Sequence, residues 1–149
     1  NDGDQDIFIQ IGGWYAGDKF GNGLFENPGF GNHWIGIKLV GKQSNRSAIG
    51  TRIRATIIEN GETRSVYKWV NSGGSFGANP LRQQLGLGAA TRIERLEIYW
   101  PKTDLTQVFK DVPVDQFIEI HEDTDKIQQL DLPALRFPRE AGSSQQHSD

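Results

Sequence analysis

The chain has 149 residues, of which 36% are hydrophobic and 18 are glycine, and it contains neither cysteine nor methionine. This length suits one domain with short attachments. The lack of cysteine excludes disulfides, thiolate catalysis and cysteine-bound zinc, and no apolar stretch approaches the roughly 20 residues of a membrane-spanning helix. We therefore expect a soluble, strand-rich protein without a membrane span.

The formal net charge of −3 conceals an uneven distribution. Residues 1–31 contain five acidic residues and one lysine, residues 32–121 contain eight acidic and 12 basic residues, and residues 122–149 contain six acidic and three basic residues. The basic excess of the middle segment is too small for a duplex-binding protein, and no recognition motif accompanies it. We expect no nucleic-acid partner, while an acidic ligand or an acidic neighbouring domain remains open.

The first residues place acidic side chains at every second position around a glycine. Asp2, Asp4 and Asp6 surround Gly3 and lead into an apolar run at residues 7–11. Calcium requires several oxygen ligands converging at about 2.4 Å, and alternating aspartates around a tight turn supply them. The pattern predicts a calcium site at the three aspartates. The alternative is a solvated, Asx-rich turn.

The next segment, residues 12–31, combines glycines with aromatic residues and has no period. Such a composition predicts a long irregular connection whose aromatic rings pin it to the domain, or alternatively a binding loop for flat ligands. The rings concerned are Trp14, Tyr15, Phe20, Phe25 and Phe30.

The clearest local signal is a β-hairpin over residues 51–70. Two strand-like runs flank Asn60 and Gly61, a dipeptide suited to a two-residue turn in which both residues have φ > 0. With that turn, positions whose numbers sum to 121 face each other. One face then has Ile53, Ala55 and Ile57, which we expect in the core.

The opposite face of this hairpin is the predicted ligand-binding surface. The register sets Arg52 beside Trp69 and Arg54 beside Tyr67, which are cation–π pairs worth about 0.5–1 kcal/mol each when exposed. Such an open face suits a sugar ring or an acidic chain. The alternative is a face stabilised only by its own cross-strand pairs, or covered by another layer of strands.

Further strands are predicted before and after the hairpin. Alternating apolar residues indicate strands at 34–39, 85–87, 105–109 and 117–121, and a one-residue slip within 92–100 indicates a β-bulge. About seven or eight short strands without a convincing helix predict an all-β fold, a compact antiparallel β-sandwich. We assign this sandwich to residues 32–122 and predict a linker or disordered tail at 123–149.

Catalytic motifs are absent from the sequence. There is no Gly-X-Ser-X-Gly elbow and no His-Glu-X-X-His zinc motif. Glu94 and Glu97 are three residues apart on a strand-like run and so point to opposite faces unless the bulge realigns them. We expect no enzyme activity, and a polysaccharide-acting enzyme is the least favoured alternative.

Several short motifs occur together in a single order. They are Leu-Phe-Glu-Asn at 24–27 leading to Asn-His-Trp-Ile at 32–35, Asn-Arg-Ser-Ala-Ile-Gly-Thr-Arg-Ile at 45–53, Ser-Gly-Gly-Ser-Phe at 72–76, Leu-Gly-Leu-Gly at 85–88, Leu-Glu-Ile-Tyr-Trp-Pro at 96–101 and Val-Pro-Val-Asp-Gln at 112–116. Over residues 24–122 the chain resembles an ASPIC/UnbV domain, similar to the C-terminal part of cartilage acidic protein.

The Asp-rich start resembles the calcium loop of an FG-GAP/VCBS propeller repeat. In that resemblance Asp2 and Asp6 match side-chain ligands and Asp4 a main-chain ligand, while two further acidic positions would precede Asn1, so the site is truncated. Residues 1–31 are then the end of such a repeat and its connecting segment. Preceding propeller-like repeats are the implied partner.

The two resemblances together imply a non-catalytic module of a secreted, calcium-dependent protein. Its setting would be extracellular or the cell envelope, and its role recognition or cell adhesion through a polysaccharide or an extracellular protein. The alternative is a structural module that forms subunit contacts in an extracellular complex. Asn45 begins a formal Asn-Arg-Ser N-glycosylation sequon, but such sequons often arise by chance, and we do not expect this one to be used.

Overall fold

Ten β-strands make up the regular structure of the computed structural model, which describes residues 3, 5–13, 15, 17–18, 20–74 and 77–133. They are β1 (Ile7–Ile9), β2 (Gly23–Phe25), β3 (His33–Val40), β4 (Arg52–Glu59), β5 (Glu62–Trp69), β6 (Gln83–Gly88), β7 (Arg92–Trp100), β8 (Leu105–Pro113), β9 (Gln116–His121) and β10 (Ile127–Leu130). The described part of the chain has no helix long and apolar enough to cross a membrane.

The strands form two four-stranded sheets and a separate hairpin. Sheet I has the order β10-β9-β3-β6, sheet II has the order β5-β4-β7-β8, and β1 pairs only with β2. All pairs are antiparallel except β3 with β9, which run parallel with Gly36 opposite Phe117. The all-β prediction is confirmed, with this one parallel pair where an antiparallel sheet was expected, because the chain crosses through sheet II before returning beside β3.

A single hydrophobic core lies between the two sheets. In β4, β6, β7 and β8 buried residues alternate with more exposed ones, which is the pattern of a sheet with one face inward. The fully buried aliphatic residues include Ile35 and Ile37 of β3, Ile53 and Ile57 of β4, Leu85 and Leu87 of β6, Leu96 and Ile98 of β7, and Ile118 and Ile120 of β9. This arrangement confirms a β-sandwich.

The predicted hairpin is confirmed residue by residue. Asn60 and Gly61 have φ values of 53° and 82°, as a two-residue turn of this kind requires. Arg52 faces Trp69 and Arg54 faces Tyr67 in the β4–β5 register. The inward face of β4 is buried, and the outward face, with both arginines, is open to solvent.

The predicted bulge also exists, at Glu94. Thr56 of β4 faces Arg95 of β7, but the next residue, Ile57, faces Ile93, so that β7 has one extra residue at this point. Ile93 and Leu96 are therefore both buried although three positions separate them.

The strand count differs from the seven or eight expected, because three short strands lie outside the predicted sandwich. β1 forms within the apolar run at residues 7–11, β2 forms within residues 12–31, which were predicted to be irregular, and β10 forms within the predicted linker. β10 extends sheet I by pairing with β9, with Ile127 opposite Ile120. The linker prediction is therefore wrong over 127–130, while residues 134–149 lie outside the described residues.

Candidate functional site

The outward face of sheet II brings the four predicted ligand-binding residues together. The strand registers align Trp69, Arg52, Tyr99 and Thr106 in one row across the sheet, and Tyr67, Arg54, Glu97 and Val108 in the next. Adjacent strands are about 4.8 Å apart and the two rows about 7 Å apart. The face therefore presents aromatic and charged side chains on a rigid frame.

A shallow depression lies across these two rows. Its volume is about 500 Å³, and it is lined by Arg52, Ile53, Arg54, Tyr67, Trp69, Glu97, Tyr99 and Thr106. Trp69 and Tyr67 are 52% and 53% exposed. Half-exposed rings are available to a ligand, and the hydrogen-bonding frame beneath them does not have to rearrange.

Arg54 is held in place by several neighbours. Its guanidinium lies 5.8 Å from the centre of the Tyr67 ring, as predicted. Its Nη1 is 3.5 Å from Glu97 Oε2, and its Nε donates a 3.2 Å hydrogen bond to Ser65 Oγ. Glu97 also accepts from Arg95 Nη2 at 3.1 Å. One carboxylate therefore serves two arginines.

Arg52 stacks on a different ring from the one predicted. Its guanidinium lies 5.6 Å from the centre of Tyr99, on the β7 side, rather than over Trp69 on the β5 side. The Tyr99 hydroxyl donates to Asp104 Oδ1 at 3.1 Å, and this hydrogen bond raises the pKa of Tyr99. Among the described residues no carboxylate lies within ion-pair distance of Arg52. Its N–H groups are therefore available to an anion.

The outward face of sheet I, on the other side of the molecule, contains an aromatic cluster around Phe117. Phe117 is only 7% exposed. The centre of its ring is 4.7 Å from that of Trp34, and the Arg82 guanidinium lies 4.5 Å above it. A Cβ atom on Gly36 would come within 2.2 Å of this ring, so the glycine makes room for Phe117. The Phe117 ring is therefore covered, while Trp34 is partly exposed.

A buried carboxylate, which sequence reasoning missed, ties the end of sheet I to a loop. Glu122 is 1% exposed, and its Oε2 accepts from the backbone N–H groups of Lys42, Gln43 and Ser44 at 2.7, 2.8 and 2.7 Å. Its Oε1 accepts from the hydroxyls of Ser44 and Thr103 at 2.8 and 2.9 Å.

The hydrogen bonds determine the protonation state of Glu122. Burial acts to raise its pKa, but the donors from Ser44, Lys42 and Thr103 outweigh that effect and lower the pKa to about 2. The group is therefore ionised at neutral pH, and it organises the loop. No spacing in the sequence signals it, because its loop partners are about 80 positions away and are mostly backbone N–H groups.

The loop after β3 also contains the predicted sequon. The Asn45 side chain donates from Nδ2 to the Ile49 carbonyl at 2.9 Å and accepts from the Ile49 N–H at 2.8 Å. Asn45 thus closes a local turn of this loop.

Of the three predicted calcium ligands, only Asp6 lies in the described residues; Asp2 and Asp4 lie outside them. Asp6 comes directly before β1, and its Oδ1 accepts from the Asn27 N–H at 2.9 Å. Within the described ranges no three His, Cys, Asp or Glu side chains cluster as metal ligands. The Asp6 carboxylate retains lone pairs for a cation, so calcium binding stays a prediction that depends on Asp2 and Asp4.

Two histidines form pairs with carboxylates. His33 Nδ1 is 2.6 Å from Asp115 Oδ2, and His121 Nε2 is 2.7 Å from Glu119 Oε1. Asp115 also accepts from the Trp34 N–H at 3.1 Å, which fixes the start of β3. In the described part of the chain neither histidine contacts a hydroxyl group that it would activate as a nucleophile.

The fold and the open face of sheet II define an all-β sandwich domain with an exposed aromatic and cationic surface. The family model "ASPIC and UnbV" matches residues 41–127, which is more than half of the chain. The chain belongs to this family, as its motifs indicated. Comparisons with curated proteins and with solved structures gave no significant match.

Proposed function

We propose that the chain is a non-catalytic recognition module of an extracellular or cell-envelope protein. It would bind a polysaccharide or a protein partner through the outward face of sheet II. The observation that supports this most directly is the combination of half-exposed Trp69 and Tyr67 with Arg52, whose guanidinium lies over Tyr99 and has no carboxylate partner among the described residues. Such anchors are typical of binding surfaces.

The test is an array of polysaccharides and extracellular proteins probed with the wild type and with Trp69→Ala/Tyr67→Ala. We expect saturable binding to at least one class and its loss in the double variant. Ile58→Ala is the matched control, because Ile58 is an exposed apolar residue of the neighbouring strand β4 and lies outside the depression. Binding that survives in the double variant would place the site elsewhere.

Calcium dependence belongs to the same proposal and rests on the Asp-rich start. Calcium should raise the thermal midpoint of the wild type and leave that of Asp6→Asn unchanged. The asparagine keeps an oxygen that can accept from Asn27 N–H, so the variant removes charge with little local disturbance. An equal rise in both proteins would argue against Asp6 as a ligand.

An assembly role is the second candidate, and the β1–β2 hairpin favours it. An isolated two-stranded hairpin is only marginally stable in water, yet this one and the segment around it expose many large apolar side chains, namely Ile7, Phe8, Ile9, Ile11, Tyr15, Phe20, Leu24, Phe25 and Phe30. A second protein surface would cover them. Sedimentation should then show concentration-dependent oligomers that Phe8→Asp abolishes.

A further inference from the structure

We propose that the outward face of sheet II binds a carboxylate-bearing polysaccharide, one with uronate rings. This inference rests on the proposed function and specifies the ligand. It follows from the charges of the face, from its aromatic rings and from the position of Asp104.

The charges of the face favour an anion. Across its central rows the outward side chains include the cations Arg52, Arg54, Arg95 and Lys110 and the carboxylate Glu97. Two further acids lie nearby: Asp104 accepts from the Tyr99 hydroxyl, and Glu94 is paired with Arg92 at 2.6 Å. Glu97 is shared by two of the arginines. Arg52 is left with a planar set of N–H donors, which matches the two oxygens of a carboxylate.

The aromatic side chains favour a ring rather than a flexible acidic chain. Trp69 is directly opposite Arg52 and Tyr67 is directly opposite Arg54, about one strand spacing away in each case. A sugar ring on Trp69 can stack its apolar C–H face on the indole while its carboxylate reaches Arg52. An acidic peptide offers carboxylates on flexible stems and no flat apolar face, so it would use only the arginines.

Asp104 determines from which side the anion approaches. It accepts from the Tyr99 hydroxyl, on the side of Arg52 away from Trp69. Its negative charge repels an anion there, so the carboxylate of the ligand is directed toward the Trp69 side. The depression is shallow and open, which suits an internal stretch of a long chain.

The experiment is a calorimetric titration of the full chain with oligogalacturonate, with its methyl ester of equal length and with poly-glutamate. We expect binding of the free acid, at least tenfold weaker binding of the ester and of poly-glutamate, and a decrease in affinity with added salt. Arg52→Ala should weaken binding of the free acid by about tenfold. Arg52→Lys should restore part of the loss, since a lysine keeps the charge but not the two-pronged geometry.

Arg82→Ala is the matched control, since Arg82 also stacks on an aromatic ring but on sheet I. The affinity of Arg82→Ala for the free acid should equal that of the wild type. The thermal midpoint of each variant shows whether the variant is folded. No binding of the free acid, equal binding of ester and acid, equal binding of poly-glutamate, or wild-type affinity of Arg52→Ala would each overturn the inference. If neutral sugars bind and require Trp69, the proposed function stands and only the uronate assignment fails.

Discussion

The outward faces of the two sheets have similar side chains in opposite states of burial. On sheet I, Phe117 lies beneath Trp34 and Arg82 and is nearly inaccessible. On sheet II, Tyr67 and Trp69 stand beside arginines and stay half-exposed. An arginine over an aromatic ring is therefore not by itself a sign of a binding site. What distinguishes the two faces is whether the ring and the cation still have unoccupied surface.

The charged groups differ in the same way. Near sheet I, Glu119 pairs with Lys38 at 2.7 Å and with His121 at 2.7 Å, and the hydrogen bond from Lys38, followed by that from His121, lowers its pKa. Glu122 is satisfied by five donors. On sheet II, Arg52 lacks a carboxylate partner among the described residues. The carboxylates described near sheet I are thus paired within the fold, whereas on sheet II the Arg52 guanidinium is left without such a partner among the described residues.

The largest effect should come from Glu122→Gln. The neutral amide removes the charge that five donors stabilise, and it has only one acceptor oxygen for the backbone N–H groups and the two hydroxyls, so we expect a loss of about 4 kcal/mol in the free energy of unfolding at pH 7. Glu97→Gln on sheet II is the control, and its effect should stay below about 1 kcal/mol because its partners are exposed. Urea denaturation measures both. Equal effects would remove the distinction between the two carboxylates.

Acid should abolish the contribution of Glu122. Its pKa is lowered from 4.5 to about 2, so its stabilisation is fully present above pH 4.5 and is lost as the pH falls through 2. The lowered pKa corresponds to about 3 kcal/mol. The difference in unfolding free energy between wild type and Glu122→Gln should therefore shrink by about that amount between pH 6 and pH 2. A difference that does not change with pH would contradict the assignment.

Phe117→Ala should destabilise the protein by about 3 kcal/mol, because it removes a buried ring and leaves a cavity beneath Arg82. Tyr67→Ala removes an exposed ring from the other sheet and should lower the free energy of unfolding by less than about 1 kcal/mol. Thermal denaturation of the two variants compares the two faces directly. Similar costs would mean that the rings of sheet II are structural as well.

Gly36→Ala should lower the free energy of unfolding by about 2 kcal/mol, since the added methyl group would collide with the Phe117 ring. Gly86→Ala is the control on the same sheet: an added Cβ there meets nothing within 4 Å. Its stability should change by less than about 0.5 kcal/mol. Equal stability of the two variants would contradict the conclusion that the Phe117 ring packs directly on Gly36 of β3.

The smallest effect on stability should come from Trp69→Ala, whose ring is half in solvent on an edge strand. We expect a change within about 0.5 kcal/mol, together with loss of ligand binding. Denaturation and the array experiment measure the two quantities separately. A large loss of stability would show that Trp69 supports the fold.

Local features of this chain were predictable, and long-range pairings were not. The Asn60-Gly61 turn determines the hairpin register from two residues, and the spacing of Ile93 and Leu96 reveals the bulge. Strand order has no such local signal. Arg52 has a neighbouring strand on each side, and only the position of β7 beside β4 decides that its ring partner is Tyr99.

The parallel pairing of β3 with β9 was missed for the same reason, since about 80 residues separate the partners. Glu122 was missed because most of its partners are backbone groups, which every sequence has at every position. Sequence patterns identified the residues of the open face, and the order of the strands decides how those residues contact one another.

The bulge at Glu94 has a consequence for how this strand tolerates changes of length. The β7–β8 register continues without a shift, with Ile93 opposite Val112 and Arg95 opposite Lys110, so the extra residue of β7 lies opposite Asp111 of β8. Asp111 has a φ of 53°, which marks an irregularity in the second strand at the same level. Loss of one of the two residues alone would misalign the strands, whereas loss of both would keep their pairing. Related sequences should therefore gain or lose these two positions together, and such changes would leave the rows of Arg52 and Arg54 in place.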